Sequence, residues 1–286
     1  MIVVKTRKAL KKAIRGLRRQ GKTVALVPTM GALHDGHVTL MRSAWKHADV
    51  VLVYIFVNPR QFGPNEDFDR YPRPWKKDVA ICRAEGIDLL YAPSLEDVYP
   101  EGYGTNVSVE GMSEELDGAY RPGHFDGVAT VLTKMFMRLQ PDVALLGEKD
   151  YQQLQVVKKL VHDLDLPMKI IGVPTVREAS GLARSSRNQY LNEEQKNAAS
   201  TLYAAMKKAA ETIRKGGDIQ EALDVGKQAL LSAGFKKIDY FELRDAVALA
   251  PITMLKKPAR LLAAAYLGTT RLIDNIAVNP GRQRLK

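Results

Sequence analysis

The chain has 286 residues, one cysteine and a formal charge of +11, with 45% hydrophobic and 26% charged side chains. These values describe a globular chain with enough residues for one large or two modest domains. They exclude an intramolecular disulfide and a thiolate metal cluster, and no apolar run approaches the ~18–20 residues of a membrane-spanning helix.

Residues 1–20 carry a short apolar start and then a basic amphipathic stretch, with no apolar signal core and no small-residue cleavage site. The expectation is a first helix, no secretory leader and a cytoplasmic protein. Residues 23–28 (TVALVP) read as a strand that stops at a turn, and 36–48 as a helix with Val38, Met41, Trp45 and Ala48 on one face. The run 50–57 (VVLVYIFV) is apolar throughout, as in a strand buried on both faces of a parallel sheet. A proline-rich stretch follows, then a helix over 75–85 and a strand over 87–92. Cys82 lies in an apolar, helical context, so a buried structural thiol is expected. Residues 102–123 are loop-rich. A strong helix spans 125–139, a strand 141–147, a helix 150–164 and a strand 168–173.

Five strands alternating with helices predict an α/β fold: a doubly wound, Rossmann-like parallel sheet over residues 1–176. The pattern then changes. Long helices over 193–215 and 218–233 precede short strands at 237–244, 260–267 and 270–276, with Gly268 helping to turn between the last two. This predicts a smaller α+β domain over 177–286 with an antiparallel sheet.

In an open α/β sheet, ligands bind at the carboxyl ends of the strands. The loops there hold Met30, Gly31, Ala32, Leu33, His34, Asp35, Gly36 and His37 after the first strand, and Gln61 after the second. Gly147, Glu148, Lys149 and Asp150 follow the fourth. Val176 and the segment Arg184, Ser185, Ser186 and Arg187 follow the fifth. Cations, donors and glycines crowd these loops. Gly36 is expected to open a helix whose N–H groups attract an anion. His34 and His37, three apart at a helix start, should face the same side and donate to phosphate. Lys149 could reach phosphates, with Asp150 a helix cap or nucleotide contact. Gln61 and Gln153 are neutral amides that can hydrogen-bond a carboxylate or hydroxyls. Read singly, a histidine pair, a loop lysine and a surface glutamine are ordinary features; their convergence points to a nucleotide site.

The HxGH motif in a strand–loop–helix setting resembles the signature of the nucleotidylyltransferase superfamily. PTMGALHDGH (28–37), FVNPRQFGPNEDFDRYPR (56–73), RPGHFDGVATVLTKMF (121–136), GEKDYQQL (147–154), VPTVRE (173–178), GLARSSRNQYL (181–191) and RLIDNI (271–276), in that order, resemble the pantoate–β-alanine ligase family. The resemblance implies a two-step reaction. Pantoate and Mg²⁺-ATP give pantoyl-adenylate and pyrophosphate, and β-alanine then releases AMP and pantothenate. It also implies that residues 30–37, 147–150, 176 and 184–187 contact ATP, and that Gln61 and Gln153 hold pantoate. His34, His37 and Lys149 would be catalytic, with His37 the family's proton donor, although stabilising phosphate charge would serve equally. A homodimer, and a second domain acting as a lid over ATP, are implied too, with neither nucleic acid nor membrane as partner. Ser180 and Arg184 depart from the family's usual aspartate and methionine; Asn58, Arg121 and His124 fall in matched motifs as candidate substrate contacts. Two rivals stand beside this reading: an adenylyltransferase acting on a phosphate, which should lack the Gln61 and Gln153 pair, and a nucleic-acid-binding protein suggested by the charge, which predicts salt-sensitive binding.

Overall fold

A computed structural model describes residues 1–64 and 66–281. Asn65, inside the 56–73 stretch, and the basic tail 282–286 lie outside the described residues. The chain forms two compact units: Met1–Glu148 with Val156–Pro174, and Lys149–Gln155 with the chain from Thr175 on.

In the first unit, β1 (Ile2–Val4), β2 (Val24–Thr29), β3 (Val50–Ile55), β4 (Leu89–Tyr91), β5 (Val143–Gly147) and β6 (Lys169–Val173) form a sheet in the order β1-β4-β3-β2-β5-β6. All neighbours in it are parallel. The helices are α1 (Arg7–Arg19), α2 (Asp35–Ala44), α3 (Trp75–Ala84), the single turns α4 (Leu95–Val98) and α5 (Asp117–Tyr120), α6 (His124–Leu139) and α7 (Tyr151–Asp163), whose residues up to Gln155 are counted with the second unit. The doubly wound parallel sheet is as expected, with one correction. Residues 1–20 are not only a helix: the β-branched Ile2–Val4 add a sixth strand on the outer edge of β4, pairing Ile2 with Leu89 and Val4 with Tyr91. Thr6 then caps α1 by accepting from the Ala9 N–H at 3.2 Å.

Alternate residues of the central strands, Ala25, Val27, Val51, Val53, Val143 and Leu145, pack with Leu40, Met41 and Ala44 of α2 and with Cys82 of α3. Leu26 and Leu52, pointing the other way, are equally buried, so the sheet is covered on both faces. Burial pushes the Cys82 thiol up to about 12, so it is a core side chain and not a nucleophile. β3 and β4 lie to one side of β2, and β5 and β6 to the other. The topological switch point, where such folds bind ligands, therefore falls between the carboxyl ends of β2 and β5.

The second unit contains α8 (Glu193–Arg214), α9 (Ile219–Ser232) and the antiparallel sheet β7 (Phe235–Asp245), β8 (Ala259–Leu267) and β9 (Thr270–Val278), in chain order. Asn192 caps α8 and Asp218 caps α9, each accepting from a backbone N–H three residues on. Gly268 has φ +61° in the two-residue turn joining β8 to β9, which suits glycine at its first position. The core joins Leu202, Met206 and Ile213 of α8 to Leu230 of α9 and to Phe241, Leu261 and Ala263 of the sheet.

Candidate active site

The loop leaving β2 turns through two left-handed residues, Gly31 at φ +82° and Ala32 at φ +51°. A side chain at Gly31 would meet the Asp78 carboxylate at 3.0 Å and Ile55 at 3.2 Å, in addition to the strained backbone. The turn is fixed by Asp78, a buried residue in the first turn of α3. Its two carboxylate oxygens accept from the Ala32 N–H at 2.9 Å and the Leu33 N–H at 2.8 Å. Burial raises the Asp78 pKa above the usual carboxylate value, and these two bonds oppose the rise.

The helix then begins one residue earlier than the sequence suggested: α2 starts at Asp35, and His34 is its N-cap. The Nδ1 atom of His34 accepts from the Gly36 N–H at 3.1 Å, and Nδ1 of His37 accepts from the His34 N–H at 3.3 Å. The Gly36 N–H, expected to attract an anion, is therefore already bonded to an imidazole. A nitrogen that accepts carries no proton, so each neutral ring holds its proton on Nε2. The ring centroids are 4.2 Å apart. Gly36 has a steric reason as well, since a Cβ there would come within 2.8 Å of the His34 ring. Spacing, glycine and tautomer together form a cap that converts two orphan backbone donors into two oriented side-chain donors.

Gln61 ends the 3₁₀ turn Pro59–Gln61 after β3. Its Oε1 accepts from Asn58 Nδ2 at 3.1 Å, and its Nε2 donates to the Met30 sulfur at 3.0 Å. A thioether is a weak acceptor. This contact brings Gln61 against the loop after β2. Asn58, a candidate substrate contact from sequence, is buried and bonds the Gly127 carbonyl and the Tyr99 hydroxyl. His124 is buried too, and with Arg121 it bonds the Gln61 carbonyl. Both work beneath Gln61. Gly147 and Glu148, at the end of β5, complete the first unit's share of the predicted residues.

The other predicted residues lie in the second unit. Lys149 pairs with Asp150 at 3.4 Å, so Asp150 meets a lysine at the turn that leads into α7. The Lys149 carbonyl accepts from Asn275 Nδ2 at 2.8 Å. Gln153 is half-buried in the first turn of α7. Residues 176–184 form a tight hairpin in which the Arg184 N–H donates to the Val176 carbonyl at 2.9 Å. Ser185 caps the 3₁₀ turn Ser186–Tyr190 by accepting from the Arg187 N–H at 3.3 Å. Arg184 pairs with Glu178 at 3.5 Å, and Ser180 accepts from the Leu182 N–H at 3.4 Å.

Three supports escaped the sequence reading: Asp78, the Arg121–His124 pair in its supporting role, and Asp274. Arg177 at the base of the hairpin makes a bidentate pair with Asp274 at 2.6 and 2.8 Å and stacks on Tyr203 at 3.8 Å. The RLIDNI stretch thus has two tasks: Asp274 holds the hairpin and Asn275 holds the Lys149 backbone. A carboxylate on the buried side of an otherwise apolar helix or strand was the available signal for Asp78 and Asp274. Among the described residues, no group of three or more His, Cys, Asp or Glu could hold a metal ion, and no helix is long and apolar enough to cross a membrane.

Comparison with known proteins bears on this geometry. The family model for pantoate–β-alanine ligase matches residues 2–277. A pantothenate synthetase of Novosphingobium aromaticivorans is 53% identical over 276 residues, 95% of this chain and 96% of the relative. A crystal structure of pantothenate synthetase from Thermus thermophilus superposes with a TM-score of 0.93 at 44% identity, covering 98% of this chain and 100% of that one. The pantoate–β-alanine ligase of Francisella tularensis, solved with β,γ-ATP and β-alanine, gives a TM-score of 0.83 at 35% identity over 98% of this chain and 99% of that one.

Proposed function

The chain belongs to the pantoate–β-alanine ligase family and joins pantoate to β-alanine, and we propose that it does so through a pantoyl-adenylate made from ATP. In the first step a pantoate carboxylate oxygen attacks the α-phosphorus and the bond to pyrophosphate breaks. In the second the β-alanine nitrogen attacks the acyl carbon, AMP leaves with the bridging oxygen, and the amine gives up a proton to form the amide. The substrates supply both nucleophiles. The protein's work is to align two anions and to meet the charge that develops on the phosphates.

The observation that carries this reading is the imidazole pair at the switch point, each ring committed through Nδ1 to the backbone so that Nε2–H is its donor. Two such donors suit the α-phosphate and the departing pyrophosphate. The same arrangement favours charge stabilisation by His37 over literal proton donation. Residues 30–37 and 147–150, with Val176 and Arg184, Ser185, Ser186 and Arg187, contact ATP, and Lys149 supplies a cation. Mg²⁺ enters as the counter-ion of ATP. Gln61 and Gln153 hold pantoate, and Gln61 also lies near β-alanine. The weak bond from Gln61 to the Met30 sulfur is one that a substrate oxygen can replace at little cost. The second unit serves as a lid that keeps water from the acyl-adenylate, and the enzyme works as a cytoplasmic homodimer.

The test is pyrophosphate release from Mg²⁺-ATP with pantoate alone, followed by AMP and pantothenate once β-alanine is added. A pantoate-dependent first step and a β-alanine-dependent second are expected. Protein that binds ATP yet releases no pyrophosphate until β-alanine is present would rule out the adenylate route.

A further inference from the structure

A glutamine amide selects a hydroxy acid only if its backbone is held in one place, and the surroundings of Gln61 provide that hold. The Gln61 carbonyl accepts from His124 Nδ1 at 2.8 Å and from Arg121 Nη2 at 3.3 Å. On the other side of the ring, Arg121 Nη1 lies 3.0 Å from His124 Nε2. A guanidinium only donates and a carbonyl only accepts. These two neighbours therefore leave His124 one tautomer, with the proton on Nδ1 and the lone pair on Nε2. Arg121 is held in turn by Glu66, Nε to Oε1 and Nη2 to Oε2, both at 2.7 Å.

The 3₁₀ turn itself has one seat. Gly127 of α6 lies so close beneath it that a Cβ there would come within 2.1 Å of the Arg60 carbonyl oxygen. Burial, with the Arg121 charge beside it, holds the His124 pKa down to about 4, against the weaker upward pull of the bond to the Gln61 carbonyl and of Asp117 and Glu66. An imidazolium would turn an Nε2–H toward the guanidinium, so the ring stays neutral and the tautomer persists through the working pH range.

We propose that His124 and Arg121 are positioning residues for pantoate: the Nδ1–H tautomer that Arg121 imposes on His124 clamps the Gln61 carbonyl and so aims the Gln61 amide. This inference rests on the reading that Gln61 holds pantoate. It assigns to the RPGH stretch a task one step removed from substrate. Because the clamp acts on one side of the site, its loss should register on pantoate and not on ATP.

The test compares His124→Gln, His124→Asn and Gln61→Ala in the full-length enzyme, with KM for pantoate and for ATP measured on each. An asparagine amide can place its nitrogen near the position of Nδ1, whereas a glutamine amide reaches toward Nε2. Loss of one hydrogen bond predicts a pantoate KM raised roughly tenfold in His124→Gln, with ATP KM changed less than about twofold, and most of the loss recovered in His124→Asn. If Gln61→Ala raises pantoate KM but His124→Gln does not, or if the asparagine and glutamine variants fail equally, the clamp is overturned while Gln61 keeps its role. If Gln61→Ala leaves pantoate KM unchanged, the reading of Gln61 itself fails. Should the variants not fold, ¹⁵N-histidine spectra of the wild-type protein decide the matter. A neutral His124 protonated on Nδ1 supports the clamp, and one protonated on Nε2 overturns it.

Discussion

The loop after β2 and the hairpin of residues 176–184, whose ends Val176 and Arg184 we propose meet ATP, are anchored by different chemistry. The first is held through its backbone, by one buried carboxylate that accepts two consecutive N–H groups and by two imidazoles that cap the following helix. The second is held through a side chain, Arg177, gripped by Asp274 and stacked on Tyr203. A backbone anchor fixes the loop's side chains to within a bond rotation. A side-chain ion pair fixes only the base of the hairpin. On this view the loop after β2 sets catalytic geometry and the hairpin contributes binding.

The largest effect on stability should come from breaking the second anchor. In Asp274→Ala a mostly buried Arg177 keeps its charge without its bidentate partner, and losses of this kind run to about 3–5 kcal/mol. Urea unfolding should show that loss, and a cost under about 1 kcal/mol would place the hairpin's support elsewhere. Breaking the first anchor at its ligand end should instead spare stability. His37→Ala removes one proposed phosphate donor and is expected to lower kcat by roughly 10²–10³, while costing stability only about the 1 kcal/mol of a lost helix cap. A folded variant with near-normal kcat would mean that His34 and Lys149 carry the charge without it.

Asp78→Ala separates the two kinds of anchor most cleanly. It strands two backbone donors, each worth about 1–3 kcal/mol when buried and unpaired, and should raise ATP KM while leaving pantoate KM nearly unchanged. The pH dependence has a defined sign. Because burial raises the Asp78 pKa in the folded state, folding takes up a proton there as pH falls. Its contribution to stability is therefore greatest below the ordinary carboxylate pKa and is lost as pH rises through its own higher value. The stability gap between wild type and Asp78→Ala should widen on acidification from about pH 7 toward the ordinary carboxylate range near 4. A gap that narrows would show that the two N–H bonds outweigh burial.

The same contrast explains what could be read in the sequence. HDGH, GEKD and the order of strands are local, so periodicity, glycine and histidine spacing expose the loops and the sheet. β1 was missed because the three residues after Met1 carry too little pattern, and only pairing with Leu89–Tyr91 makes them a strand. Asp78 was missed because its partners lie 45 and 46 residues away, and Asp274 because its partner lies 97 away. Asn58 and His124 stood out by motif, but their burial was not legible. It turns them from candidates for touching substrate into groups that hold Gln61.

The smallest expected effect tests whether the turn that follows the hairpin binds ATP by its hydroxyls or merely supports it. Ser185 spends its oxygen on the Arg187 N–H, capping the short turn that begins at Ser186. Ser185→Ala should cost about 1 kcal/mol as a lost cap and raise ATP KM a few-fold. Ser185→Asn, a good N-cap with a different shape, should restore the stability. If it also restores ATP KM, the role of Ser185 is to shape the turn that presents Arg187. If stability returns while KM stays high, the hydroxyl itself meets the nucleotide, and the turn after the hairpin then contributes recognition as specific as that of the loop after β2.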